Sequence, residues 1–190
     1  MSDSIITKKA IADTLKALCK TMPFRKISIS NITEGCGLNR QTFYYHFQDK
    51  NELLSWIYYH EYFLPVAEGI TFDNWTERIE ELLNKMMADK AFFMNTVDEQ
   101  EETFKKYLLE MSKALFCEAI EVLDQSHKLT EEEKEFDAEF YAYGVCGTII
   151  QWVVKGMKIQ PKVMATKLKS LVRSSEKAAV LYGSVNSEDE

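Results

Sequence analysis

SISNITEGCGLNRQTFYYHFQDKNEL, residues 28–53, places helix-spaced apolar residues between cap and stop residues. It reads as helix, tight turn, helix, and the start of a further helix. Ser28 suits the N-cap of a helix over about 29–36, because its hydroxyl can accept from a first-turn amide that has no partner within the helix. Gly37 ends that helix in a left-handed conformation open to glycine. Asn39 caps the next helix, about 40–47, and Asp49 with Glu52 forms an acidic capping pair for one over about 50–64. On the middle helix, Arg40, Gln41, Tyr44, Tyr45 and Gln48 share one face. Phe43 and Phe47 lie on the opposite face, where Ile29, Ile32 and Leu38 can cover them. One side is therefore core, and the other carries hydrogen-bonding and planar groups without an acid. Such a face suits base edges and phosphate oxygens in a major groove: Arg can fork onto guanine and Gln onto adenine. The same spacing also describes a plain helical hairpin with a polar surface.

Lys50 adds a second indication. A cation in the first turn of a helix is opposed by the helix dipole. A phosphate at that helix end would be held by the unpaired amides and by Lys50 together. The alternative is a solvated surface lysine.

Upstream, Ile5, Ile11, Leu15 and Leu18 predict a helix over about 5–21, broken by Met22-Pro23-Phe24. Downstream, Pro65 and Gly69 are expected to end the fourth helix and mark a domain boundary. Further helices are expected over about 74–88 and 90–95. A third runs from a capping box at Thr96 and Glu99 to about 125, and a fourth from a second box at Thr130 and Glu133 to about 157. Pro161 suits the first turn of a last helix, to about 182, before a disordered tail. The fold class is all-α. A three-helix N-terminal domain (1–65) holds a helix-turn-helix at about 28–47 and is followed by a helical effector and dimerisation domain (66–183) and a tail (184–190).

The net charge of −7 is unevenly distributed. Residues 1–60 hold eight Lys/Arg against five Asp/Glu, a net of +3, and the remaining 130 hold 15 against 25, a net of −10. A basic end can meet phosphates while an acidic body stays away from them. No apolar run approaches the roughly 20 residues that span a bilayer, and MSDSIITKK lacks the order of a signal peptide, so a cytoplasmic location is expected. Cys19, Cys36, Cys117 and Cys146 are scattered and read as buried thiols. His46, His60 and His127 have no Glu three residues before them, which argues against a di-iron bundle. No catalytic residue, cofactor or metal site is expected.

Residues 28–53 resemble the helix-turn-helix of TetR-family transcriptional regulators. The resemblance rests on Ile29-x-x-Ile32, Gly37-Leu38-Asn39, Thr42-Phe43-Tyr44-Tyr45-His46-Phe47 and Lys50-x-Glu52-Leu53. It implies a homodimer on double-stranded operator DNA. Gln41, Thr42, Tyr44 and Tyr45 would meet bases or backbone, and Thr42, Tyr44, His46 and Lys50 would hold phosphates. Ser30 would reach DNA, and Arg40 with Gln41 would set operator choice. His46 has two readings, as a phosphate ligand or as a brace for the fourth helix.

In that family the last two long helices form a four-helix bundle with their mates. Here the small stripe Ala138, Ala142, Cys146, continued by Ile149 and Val153, is the candidate dimer face, with Leu168, Leu171 and Val172 of the last helix. A neighbouring stripe, Phe136, Phe140, Tyr143, Gly147, Ile150 and Val154, competes for that role. Met86, Phe93, Phe104, Tyr107, Met111, Tyr141, Thr148, Gln151 and Trp152 are candidates to line an effector pocket, or plain core; Asn95 is a further polar anchor. The overall layout is similar to regulators of dihydroxyacetone kinase operons. That likeness implies an activator switched by a partner protein related to a kinase subunit. The alternatives are a repressor released by a small apolar ligand and a helical interaction module that binds no DNA.

Overall fold

The computed structural model describes residues 3–97, 101–124 and 128–185, and among them every regular element is helical. Helix α1 is Asp3–Leu18, α2 Ile29–Gly35, α3 Arg40–His46 and α4 Lys50–Ile57. These pack around Ile11, Leu15, Ile32, Phe43, Leu53 and Leu54, all fully buried. Gly35 explains how closely α1 and α2 approach: a β-carbon there would lie 2.6 Å from Thr14 Cγ2. Gly37 takes φ +68° in the turn, and the Leu38 amide donates to Thr33 O at 2.9 Å, which closes the end of α2.

α4 does not end at Pro65. It passes through a π-helical turn, Tyr58–Phe63, into α5, Leu64–Ala67. Proline inside a helix removes a donor and crowds the preceding turn. The widened turn lies directly before Pro65, where a change of helical register accommodates that defect. The expected boundary at residue 65 is therefore crossed by continuous helix, and Tyr58, Tyr62, Phe63 and Val66 are already core of the C-terminal half.

That half holds α6 (Trp75–Ala88), α7 (Lys90–Thr96), α8 (Glu101–Leu123), α9 (Glu131–Val154) and α10 (Pro161–Val185). α8 lies along α9, and α10 along α6. Thr130 and Glu133 form the expected reciprocal box at the start of α9. The box expected at Thr96 is not the start of a helix: Thr96 closes α7, and its hydroxyl donates to Phe92 O. Glu99 lies outside the described residues. α9 ends at Val154 because Gly156 (φ +83°) and Met157 (φ +49°) both take the left-handed conformation. α10 continues through Gly183 to Val185. Lys134, at the start of α9, reaches Glu121 Oε1 of α8 at 2.9 Å and Glu131 at 3.2 Å, clamping the two helices on either side of their connection. Cys19 and Cys146 are buried as expected, but Cys36 is half-buried and Cys117 is exposed. Among the described residues no helix is long and apolar enough to cross a membrane.

Candidate nucleic-acid interface

The recognition face is built by three caps. Ser28 Oγ accepts from the Asn31 amide at 3.2 Å while Asn31 Oδ1 accepts from the Ser28 amide at 3.0 Å, a capping box with Asn in the acidic place. Asn39 Oδ1 accepts from the Thr42 amide at 2.7 Å. Asp49 accepts from Asn51 and Glu52 at 2.7 and 2.9 Å, and Glu52 reaches back to the Gln48 amide. These bonds set α3 across α2 with Phe43 and Phe47 inward, their rings 5.9 Å apart. Arg40, Gln41, Tyr44, Tyr45 and Gln48 are all exposed, Tyr45 to 83%.

The polar face is partly pre-arranged. The Arg40 guanidinium donates to the Ser30 hydroxyl, so α2 and α3 present one joined polar group. Thr42 is half-buried, and its hydroxyl lies 3.1 Å from Asn39 Oδ1, which restricts its rotation. His46 is half-buried, edge-on to Tyr45 at 5.0 Å. Partial desolvation, then the charge of Lys8, lowers its pKa below the usual imidazole value. Lys8 itself, 5.4 Å from the Phe47 ring centre, brings a cation to this edge that the residue pattern did not single out.

Lys50 corrects the sequence reading. Its ammonium donates to the carbonyls of Phe24 (2.8 Å), Arg25 (3.1 Å) and Ile27 (3.1 Å) and sits 4.5 Å above the Phe24 ring centre. An ammonium has three donors, and all three are engaged by the 3-10 turn Phe24–Lys26 and the residue after it. In the free chain Lys50 therefore ties that turn to the start of α4, with its donors taken up by backbone carbonyls.

Five of the nine effector-pocket residues, Met86, Phe93, Phe104, Met111 and Trp152, are buried core. Met86, Phe93 and Phe104 are fully buried, and the Tyr58 ring centre lies 5.9 Å from Phe93 and 5.3 Å from Phe104. Trp152 is core, its indole donating to Ile159 O at 2.8 Å. Tyr107, Tyr141 and Thr148 are half-buried, and Gln151 is exposed. Met111 borders a void of about 10 Å³ beside Ile79 and Phe116, room for about one water. Asn95 uses its side-chain amide on backbone atoms of residues 19–24. His60 stacks on Trp56 at 4.9 Å, and His127 lies outside the described residues.

The dimer stripe is also corrected. Ala138, Ala142, Cys146, Ile149 and Val153 are buried within the chain, as is Leu168. Cys146 Sγ lies 3.9 Å from the Lys105 carbonyl of α8, which puts this stripe toward that helix. The competing stripe faces outward: Phe136 is 69% exposed, Phe140 66%, and Tyr143 and Val154 nearly half. Ile150 of that stripe is buried, while Gly144 and Gly147 open onto empty space. On α10, Leu171 and Val163 are exposed and Val172 is half-buried.

Comparison with known proteins agrees with this geometry. A family model described as bacterial regulatory proteins, tetR family, matches residues 11–56, and one described as transcriptional regulator C-terminal region matches residues 73–174. The chain is similar to the HTH-type dhaKLM operon transcriptional activator DhaS of Lactococcus lactis, with 27% identity over 164 residues, 84% of this chain and 86% of that protein. A solved structure titled dihydroxyacetone kinase operon activator DhaS superposes with a TM-score of 0.74 at 23% identity, covering 92% of this chain and 98% of that one. The fatty acid degradation regulator FadR of Bacillus halodurans superposes with a TM-score of 0.60 at 14% identity, over 90% and 95% of the two chains.

Proposed function

The chain belongs to the TetR family of transcriptional regulators, and from that premise we propose a homodimeric operator-binding protein that activates a dihydroxyacetone kinase operon and is switched by a protein partner. Regulators of this family bind operator DNA and dimerise, so an enzymatic role falls away. Each protomer offers α3 to one major groove, and a dimer would place the two copies about one helical turn, roughly 34 Å, apart. The observation that carries the reading is the exposed, acid-free face of Arg40, Gln41, Tyr44 and Tyr45 on a helix whose opposite side is anchored in the core by Phe43, with Gln48 exposed just beyond its end. Arg40 and Gln41 are the base-reading side chains. Tyr44, Thr42 and the Ser30 hydroxyl lie where backbone phosphates pass, with His46 and Lys8 at the far edge.

The activator reading draws on the likeness to DhaS. Switching by a protein draws on the packed interior: the residues best suited to line a ligand cavity fill it with one another. A small-ligand repressor would need space that Phe93, Phe104 and Tyr58 occupy. Selection from random duplexes tests DNA binding, expecting a near-palindrome whose recovery falls steeply with salt. Binding that does not respond to salt would rule the reading out. Thermal shift against medium- and long-chain acyl compounds separates the regulatory modes: no shift is expected, and a saturable shift favours the repressor.

A further inference from the structure

We infer that Asn95 is a positioning residue for operator binding, holding the turn after α1 so that the regulatory half sets the attitude of the recognition helix. This rests on the DNA-binding reading above. Asn95 lies on α7, yet its amide nitrogen donates to Cys19 O and Met22 O at 2.8 Å each, and its Oδ1 accepts from the Phe24 amide at 3.1 Å. One side chain thereby grips both ends of the bend between α1 and the 3-10 turn. On the other side of that bend, Lys50 holds the carbonyls of Phe24, Arg25 and Ile27. Residues 19–27 are therefore clamped between a residue of the regulatory half and the first residue of α4. The α3 helix ends only four residues before Lys50, so the bend and α3 are mechanically close.

α7 is itself fixed to α4's extension. Tyr58 OH donates to Thr96 Oγ1 at 2.7 Å, and Tyr62 OH donates to Asp89 at 2.5 Å, both from the π-helical turn. Lys16 of α1 meets Glu61 of the same turn at 2.6 Å. α7 also packs on α9, which carries the outward aromatic stripe. A route of packing from α9 to α7, and of hydrogen bonds from Asn95 onward, therefore runs to residues 19–27 and Lys50. A turn that needed only local capping could use its own side chains, as Thr21 does with Leu18 O at 3.1 Å. Asn95 reaches across more than 70 residues of sequence, and the bonds of its side chain go to backbone atoms.

The test uses the full-length dimer and the duplex selected by the wild-type chain. Asn95→Ala should weaken binding of that duplex about tenfold. The slope of log affinity against log salt should stay at its wild-type value, because no phosphate contact is lost. Asn95→Asp keeps the size and the acceptor for Phe24 but loses both donors, so it gives the same direction should the alanine variant unfold. Combined with Lys50→Met, the loss should fall well short of the product of the two single losses, because both act through one turn. Affinity within about twofold of wild type in folded Asn95→Asp and Asn95→Ala, multiplicative losses, or a reduced salt slope each overturns the inference. A wild-type chain that selects no duplex overturns the DNA-binding reading and this inference with it.

Discussion

Lys50 Nζ lies 2.8 Å from the Phe24 carbonyl oxygen and 4.5 Å above the Phe24 ring, so one residue supplies both a hydrogen bond and a cation–π contact. With Arg25 O and Ile27 O as its other acceptors, the ammonium acts as a C-terminal cap for the 3-10 turn. Lys50→Met should lower unfolding stability by about 1–2 kcal/mol, the range for a partly exposed charged hydrogen-bond cluster. It should also weaken operator binding without flattening the salt dependence. Urea unfolding and titrations at three salt concentrations check both. A slope reduced by about one would put Lys50 on a phosphate after all.

Thr14 and Gly35 set the distance between α1 and α2. Thr14 is held in its rotamer by a 2.8 Å bond to Ala10 O, so its Cγ2 cannot swing away from a β-carbon built at position 35, 2.6 Å distant. Gly35→Ala should therefore destabilise the fold by about 1–3 kcal/mol through overpacking. Thr14→Ser keeps the hydroxyl and removes Cγ2, so the double variant should recover most of the loss. Failure of that rescue in urea unfolding would place the strain elsewhere.

His46 should make the protein respond to acid in two opposite ways. Partial desolvation first, and Lys8 second, lower its pKa in the folded chain below 6.5. Above pH 6.5 both folded and unfolded chains hold a neutral imidazole, and stability is unaffected. As pH falls through 6.5 the unfolded chain takes up the proton first, so this group's contribution to stability declines. A phosphate beside His46 would raise its pKa in the complex, so operator affinity should increase over the same fall in pH. His46→Gln should remove both trends, and fluorescence titration from pH 8 to 5.5 reads them. A pH-independent wild-type affinity would assign His46 to bracing alone.

The parts of this molecule that could be read from the chain are those whose partners are near in sequence. Ser28, Asn39, Asp49 and Thr130 all bond amides within three residues, and each cap is where its residue type placed it. Lys50 and Asn95 bond backbone 23 to 26 and 71 to 76 residues away, and no periodicity encodes such a contact. Pro65 carries a stop signal that the π-helical turn before it overrides. On α9 the difficulty was different in kind. A helix packed on its own chain along one side and on a mate along the other is apolar on both, so residue type alone does not say which stripe is which. Burial separates the two: the small stripe is covered within the chain, with Cys146 Sγ 3.9 Å from the Lys105 carbonyl of α8, and the aromatic stripe faces out.

The proposed dimer would then come apart along the aromatic stripe. Phe136, Phe140, Tyr143 and Gly147 follow one another at spacings of four, three and four, the repeat that keeps a seam facing a partner helix. Phe140→Glu would bury two carboxylates in a symmetric interface. It should raise the dimer dissociation constant by about 30-fold or more, as expected for a central aromatic anchor. The protomer's helicity should stay intact, because the side chain is 66% exposed there. Operator affinity should fall with dimerisation, since a lone protomer engages one half-site. Ala142→Leu, in the buried stripe, should do the reverse: destabilise the protomer by about 1–3 kcal/mol through overpacking while leaving it dimeric. Sedimentation velocity and urea unfolding on both variants separate the cases, and a dimer lost in Ala142→Leu but kept in Phe140→Glu would exchange the roles of the two stripes.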